Sequence, residues 1–285
     1  MQINKVFIMG SGLMGRGIAQ VTATAGYDVI LMDVNEDSLV SAMDNVKWSL
    51  EKFKQKGKIQ EEVAVIINRI TATTDINAAA DADYVIEVIP EVLELKQEVF
   101  KKLDTICRPE VVITTNTSAI PITVLANATN RKDKIVGTHF FNPVPMMNLV
   151  EVVKGHETSN ESAQIAKQYV ESIGKKACMV EKDVAGFVMN RIGICSTIEA
   201  IRIWEEGVAS IEEIDQGMRL AYGWPMGPIE TFDMTGLDSA MHAALSIYEE
   251  TKDTKFLPPV SLQRLVAAGH FGRKTGKGFY VHTKK

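Results

Sequence analysis

Three features of the sequence predict an α/β fold, with an N-terminal doubly wound sheet, a helical-hairpin insertion within it, and an all-α C-terminal domain. Short apolar runs alternate with helical patterns through residue 181, a glycine-rich turn closes the first of those runs, and the strand signal vanishes beyond Asp183. Lys5–Met9 and Tyr27–Met32 read as buried parallel strands, the first stopping at glycines and the second at Asp33. Leu13–Ala25 between them carries apolar residues at helical spacing, with Gly26 as its C-terminal stop. Further strands are expected at Ile70–Thr74, Tyr84–Ile89, Val111–Thr115, Ile135–Phe140, Leu149–Val153 and Ala177–Glu181. Helical patterns at Leu93–Cys107, Ile122–Ala126 and Glu161–Ile173 alternate with them.

Residues 34–69 depart from this plan, because a crossover helix needs only about a dozen residues. A long helical pattern from Glu36 to about Gln55, then a second from Glu61 to Ile70, predict a hairpin inserted into the sheet. Phe187–Glu205, Ile211–Leu220, Leu237–Glu250 and Val260–Ala268 read as helices, so the boundary falls near 183–186 and divides the chain into domains 1–184 and 185–285. Pro225-Met-Gly-Pro and Gly276-Lys-Gly read as structural turns. The helical region looks short for an independent core, and its apolar segments such as Met241–Ala244 suggest pairing with a second copy.

Composition limits the partners. The 285 residues are 46% hydrophobic and 24% charged, ordinary for a globular chain able to bury a core. A net charge of −5 gives no general attraction to nucleic acid or to an anionic membrane, so an anionic ligand needs a local basic patch. Three cysteines without CxxC spacing argue against a disulfide scaffold or a zinc site and for a reducing compartment. No apolar run reaches membrane-spanning length, and strand-like sequence from Ile3 leaves no room for a presequence; a cytoplasmic enzyme without metal is the expectation.

Gly10-Ser11-Gly12-Leu13-Met14-Gly15 is GxGxxG placed directly after a strand and at the opening of a helix. In that setting the first glycine permits a tight turn, the second lets backbone approach a pyrophosphate, and the third allows close helix packing. Asp33, 18 residues past Gly15 and at the end of the second strand, can accept hydrogen bonds from an adenosine ribose. No Arg or Lys occurs in residues 33–37 to neutralise a 2′-phosphate, so a Rossmann-type domain binding NAD in preference to NADP is predicted.

His139 stands apart among the five histidines because it ends a strand at the carboxyl edge of the sheet, where ligands bind in such folds. His156, His242, His270 and His282 read as surface or satisfied core residues. The chain turns back through Phe140-Phe141-Asn142-Pro143, and Glu151 follows on the next strand. If the two strands are neighbours, Glu151 can orient the imidazole for proton exchange near neutral pH. Ser118 follows the strand Val111–Thr115 beside the crevice, where it could equally cap a helix. Asn190 opens the second domain after Gly186 and could equally lie on an exposed helix face.

Five ordered motifs resemble the short-chain L-3-hydroxyacyl-CoA dehydrogenases, and among them the bacterial 3-hydroxybutyryl-CoA dehydrogenases. They are Gly10-Ser-Gly-Leu-Met-Gly-Arg-Gly-Ile-Ala, Thr115-Asn-Thr-Ser-Ala-Ile, Gly137-Thr-His-Phe-Phe-Asn-Pro-Val-Pro, Gly186-Phe-Val-Met-Asn-Arg, and Pro225-Met-Gly-Pro with Gly272-Arg-Lys-Thr-Gly-Lys-Gly-Phe-Tyr. The resemblance spans essentially the whole chain. It implies that His139 is the catalytic base, Glu151 its partner, and Ser118 and Asn190 hydrogen-bonding partners of the reacting substrate. It also places Glu91, Lys96 and Asn142 near the nicotinamide half of NAD, with Asn116 beside them and Asn142 also facing substrate.

Lys47, Lys52, Lys54, Lys56 and Lys58 cluster in or just after the first hairpin helix, where a solvated face is the plain reading. The resemblance adds a role in holding CoA phosphates, for which Ser49 and Lys56 match best and Lys52 and Lys54 follow. The expected activity is thus interconversion of (S)-3-hydroxybutyryl-CoA and acetoacetyl-CoA by a homodimer, in fatty acid and butanoate metabolism. Two rivals stay open at this point: a dehydrogenase of a small hydroxy acid or sugar acid without CoA, and a non-catalytic NAD-binding protein.

Overall fold

A computed structural model describes residues 2–282 and divides the chain into two compact units, Met1–Asp183 and Val184–Lys285. The first unit is built on an eight-stranded sheet in the order β3-β2-β1-β4-β5-β6-β7-β8. Its strands are β1 (Lys5–Met9), β2 (Asp28–Met32), β3 (Ile70–Thr73), β4 (Tyr84–Glu87), β5 (Val112–Thr115), β6 (Ile135–Phe140), β7 (Leu149–Lys154) and β8 (Lys176–Val180). Neighbours pair in parallel except β6 and β7, which run antiparallel. The strand order reverses between β1 and β4, and this is the switch point at which doubly wound sheets open a crevice beyond their carboxyl ends.

Strands buried on both faces explain the continuous apolar runs: Val6, Phe7, Ile8, Val85, Ile86 and Ile113 are fully buried. Helix α1 (Leu13–Thr24) and the later helix α6 (Asn160–Ser172) share one hydrophobic cluster, tied by a 2.7 Å hydrogen bond between Thr22 Oγ1 and Tyr169 Oη. Helix α2 (Glu36–Gln55) starts where Asn35 Oδ1 accepts the Ser38 N–H, a side-chain cap reinforced by Glu36 and Asp37 in the first turn. It buries Leu39, Ala42, Val46 and Leu50, one stripe at three- and four-residue spacing.

The second hairpin helix is shorter than its sequence pattern, with α3 covering only Val63–Ile67. Ile70 must already be extended to pair with Val29, and the Arg69 guanidinium folds back to grip the Glu61 carboxylate through two 2.6 Å bonds. Helices α4 (Leu93–Ile106) and α5 (Ile122–Ala126) complete the first unit alongside α6.

The second unit contains α7 (Met189–Glu205), α8 (Ile211–Tyr222), α9 (Pro228–Thr235), α10 (Leu237–Thr251) and α11 (Val260–Ala267). It closes a core of its own around Ile198, Ile201, Ile229, Leu237, Ala244, Ile247, Phe256 and Leu262, contrary to the expectation that this region is too short for one. The segment read as a turn at Pro225-Met-Gly-Pro in fact starts a helix: Pro228 is its first residue, a position where the missing N–H is no loss. Buried Asp215 supplies the acceptors there, taking the N–H groups of Ile229 and Glu230 at 2.9 Å each. A second buried carboxylate, Asp233, accepts the N–H groups of Phe279 and Tyr280 and lies 2.7 Å from His282 Nε2, anchoring the last described turn. No helix among the described residues is long and apolar enough to cross a membrane.

Candidate active site

The glycine loop turns because Gly10 adopts φ +109°, and a Cβ there would stand 2.6 Å from the Val88 carbonyl oxygen of β4's extension. Gly15 packs against the same turn, since a Cβ on it would fall 1.8 Å from Gly10 O; Gly12 meets nothing within 4 Å. That leaves one glycine facing open space and two locking the loop, an arrangement that fits a pyrophosphate seated on Gly12 at the start of α1.

A cavity of about 870 Å3 opens here. Gly10, Gly12, Leu13, Met14, Asp33, Glu91, Lys96, Asn116 and Ser118 all line it, whereas Gly15 lies behind the loop and Asn142 lines a different cavity. Asp33 is already engaged: its Oδ2 accepts the Ser11 N–H and the Ser11 hydroxyl at 2.8 Å, and its Oδ1 accepts the Asn35 N–H at 3.1 Å. These bonds fix the carboxylate beside the loop, and Oδ1, which accepts only the Asn35 N–H, retains acceptor capacity for a ribose hydroxyl.

Beneath the cavity lies a buried charge network that sequence reasoning found only in part. Lys96, 1% exposed, donates to Glu87 Oε1 at 2.7 Å and Ile89 O at 3.2 Å, and pairs with Glu91 Oε2 at 3.2 Å. Glu87, wholly buried at the end of β4, also accepts the Thr115 hydroxyl and the Ile89 N–H. Glu91 accepts the Thr117 hydroxyl and the N–H groups of Ser118 and Ala119. Burial alone would raise the Glu91 carboxyl, but the Lys96 ammonium and these donors hold it below the usual carboxylate range. The network thus braces the turn after β5 on which Asn116 and Ser118 sit, and Asn116 Oδ1 extends it by accepting the Phe140 N–H at 2.9 Å.

His139 and Glu151 are direct cross-strand partners in the antiparallel β6–β7 register, so both side chains leave the same face of the sheet. His139 Nδ1 lies 2.8 Å from Glu151 Oε2, with the imidazole 6% exposed and the glutamate fully buried. The Phe141 ring packs 4.6 Å from the imidazole centroid. A carboxylate in that position selects the tautomer with the proton on Nδ1, which makes Nε2 the basic nitrogen.

Ser49, Lys52, Lys56 and Asn142 come together in a second cavity of about 390 Å3, walled also by Trp48, Phe53 and the Pro143–Met146 segment. Arg16, from the first turns of α1, joins them and had no signal beyond its place after the glycine loop. Three cations and no carboxylate line this cavity in a chain of net charge −5. Lys54 does not belong to it: its ammonium donates to Gln60 O and pairs with Glu62 Oε1 at 3.1 Å, closing the hairpin. Lys58 lies over the Phe53 ring, 5.4 Å from its centroid. Asn190 is the second residue of α7, half-buried within the second unit.

A family model described as 3-hydroxyacyl-CoA dehydrogenase, NAD binding domain, matches residues 5–184, and the C-terminal domain of the same family matches residues 186–282. The chain belongs to the 3-hydroxyacyl-CoA dehydrogenase family. It is 41% identical over 278 residues to a probable 3-hydroxybutyryl-CoA dehydrogenase of Deinococcus radiodurans, covering 98% of this chain and 100% of that one. Identity is 40% to the mitochondrial hydroxyacyl-coenzyme A dehydrogenase of Sus scrofa, over 98% of this chain and 91% of the relative. The fold superposes on the (S)-3-hydroxybutyryl-CoA dehydrogenase of Ralstonia eutropha with a TM-score of 0.95 at 39% identity, covering 99% of this chain and 100% of that one.

This 3-hydroxyacyl-CoA dehydrogenase is therefore an NAD-dependent oxidoreductase, and its first unit is the NAD-binding one. Bound NAD supplies the hydride acceptor. Among the described residues no group of three or more His, Cys, Asp and Glu could hold a metal ion. The residues at or beside the two cavities that sequence reasoning missed are Ser11, Glu87, Thr117 and Arg16. The first three have hydrogen-bond partners distant in sequence, and Arg16 lacks any pattern that separates a cavity-lining arginine from a solvated one.

Proposed function

We propose that the enzyme interconverts (S)-3-hydroxybutyryl-CoA and acetoacetyl-CoA, with NAD preferred over NADP and His139 as the acid–base group. In the oxidative direction His139 Nε2 takes the proton of the 3-hydroxyl as hydride leaves C3. In reduction the imidazolium returns it, and Glu151 stabilises the charged ring in both directions. Ser118 and Asn190 hydrogen-bond the reacting oxygen. Glu91, Lys96, Asn116 and Asn142 order the nicotinamide side of the site, while Asp33 meets the adenosine ribose and disfavours a 2′-phosphate. The second cavity takes the phosphates of CoA on Arg16, Ser49, Lys52 and Lys56.

The observation that carries the choice of substrate is that every charged residue lining that second cavity, Arg16, Lys52 and Lys56, is a cation, because a small hydroxy acid has no use for three of them. The 3-hydroxybutyryl-CoA dehydrogenase names borne by relatives at about 40% identity support the short acyl chain. The proposal extends to a homodimer joined through the helical unit, whose α8 and its end expose Leu220 and Tyr222, and to a reducing compartment such as the cytoplasm, which suits three free cysteines. Initial rates with acetoacetyl-CoA and with acetoacetate, each with NADH and NADPH, test it. Higher kcat/KM for acetoacetyl-CoA with NADH is expected, and equal turnover of free acetoacetate would overturn the CoA reading.

A further inference from the structure

The β6–β7 connection, residues 141–148, bears directly on both halves of the site. His139 and Glu151 flank it, and Asn142, Pro143, Val144, Pro145 and Met146 form one wall of the second cavity. Within it, Pro143 O accepts the N–H groups of Met146 and Met147, while the carbonyl of Val144 meets its partner in a buried contact and that of Met147 in a partly buried one. A buried carbonyl without a donor is costly. The donor is Lys175, 8% exposed, whose ammonium reaches Val144 O and Met147 O at 2.7 Å each.

Lys175 arrives there because Gly174, at φ +76°, ends α6 in a left-handed turn and sends the chain into β8 beneath the loop. The opposite side of the loop rests on Gly17 of α1, where a Cβ would approach Val144 Cβ to 2.9 Å. The loop is thus held between a glycine that permits contact with the cofactor helix and a buried cation that ties its backbone down. No carboxylate pairs with Lys175 among the ion pairs of the described residues, and burial lowers its pKa below that of a free lysine. A cation kept at that cost, on two carbonyls of one loop, serves that loop.

We propose that Lys175 is a positioning residue for substrate: by binding the carbonyls of Val144 and Met147 it holds the 141–148 loop in the shape that the acyl-CoA requires. The inference rests on the acyl-CoA reading of the second cavity. Lys175→Met keeps the length of the side chain and removes the donors, whereas Lys175→Arg keeps cation and donors. For Lys175→Met we expect the KM for acetoacetyl-CoA to rise fivefold or more, the Kd for NADH measured by fluorescence to stay within twofold of wild type, and Lys175→Arg to recover most of the loss. A KM within twofold of wild type for Lys175→Met, or an Arg variant no better than the Met variant, would overturn the proposal.

Limited chymotrypsin digestion gives a readout independent of substrate, with cleavage after Phe141 or Met146 accelerated in Lys175→Met and near wild type in Lys175→Arg. Unchanged cleavage in the Met variant would also overturn it. Should Lys175→Met fail to fold, Lys175→Leu, which keeps apolar bulk and removes the ammonium donors, takes its place with the same expectations. If wild type ignores acetoacetyl-CoA while digestion follows the expected order, the substrate reading fails and the anchoring of the loop stands.

Discussion

His139→Gln should lower kcat by about two to four orders of magnitude, the range over which a positioned acid–base group acts. Glu151→Gln should lose less, because it orients and stabilises the ring without taking the substrate proton. Steady-state kinetics alongside NADH titration distinguish this from loss of cofactor binding, which should be little changed in both variants; activity within threefold of wild type would remove the residue from the mechanism. His139 and Glu151 were readable from sequence because each stands on a strand and a short connection separates the strands. Their register, which decides that they face each other, came only with the structure. Glu87 was not readable at all. A carboxylate at a strand end looks the same whether it meets solvent or, as here, a buried lysine nine residues on.

At the scale of the element, the α2 hairpin shows what periodicity carries and what it does not. Ser49, Lys52 and Lys56 follow three- and four-residue spacing and so share a face, while Lys54 lies roughly 200° around the helix from Lys52. Helix geometry alone would have set Lys54 aside, and the structure spends it on closing the hairpin. Arg16, Lys52 and Lys56 together, changed to Ala, should raise the KM for acetoacetyl-CoA several-fold, with a smaller effect at high salt because exposed charges are screened. Lys54→Ala should leave that KM unchanged. A wild-type KM for the triple variant at low salt would move the phosphate site elsewhere. The length of α3 was not legible, since the helical pattern continues into residues that strand pairing at Ile70 forces to extend.

For the whole molecule, stability should fall on the acid side. Burial would raise the carboxyls of Asp83 and Asp104, but backbone N–H groups and the Arg108 and Arg131 guanidinium groups hold both below the usual range. Glu91 is held low in the same way. A carboxyl with a depressed folded pKa contributes stability that is present above its unfolded value, about 4, and is lost as pH falls through the folded one. Tm should therefore decline below about pH 4, and Asp104→Asn should make that decline shallower; a Tm independent of pH there would contradict it. Sedimentation equilibrium at micromolar concentration should find a species of twice the 31.4 kDa chain mass, and a lone monomer would exclude the dimer. The change from α/β to all-α near Asp183 was legible because strand patterning stops there. The Asp233 anchor was hidden, because its acceptors serve residues 46 and 47 positions away.

The antiparallel step between β6 and β7 separates the His139–Glu151 pair from the cavity wall in the face of insertions and deletions. Lengthening or shortening the connection at residues 141–148 changes a wall of the second cavity, yet the residue opposite His139 is set by the two strands that flank it. One residue removed from inside either strand, by contrast, turns the remaining side chains to the other face and parts the histidine from its glutamate. Chains descended from a common ancestor can therefore exchange this loop and reshape that cavity wall, while the contact between His139 and Glu151 passes through the exchange intact.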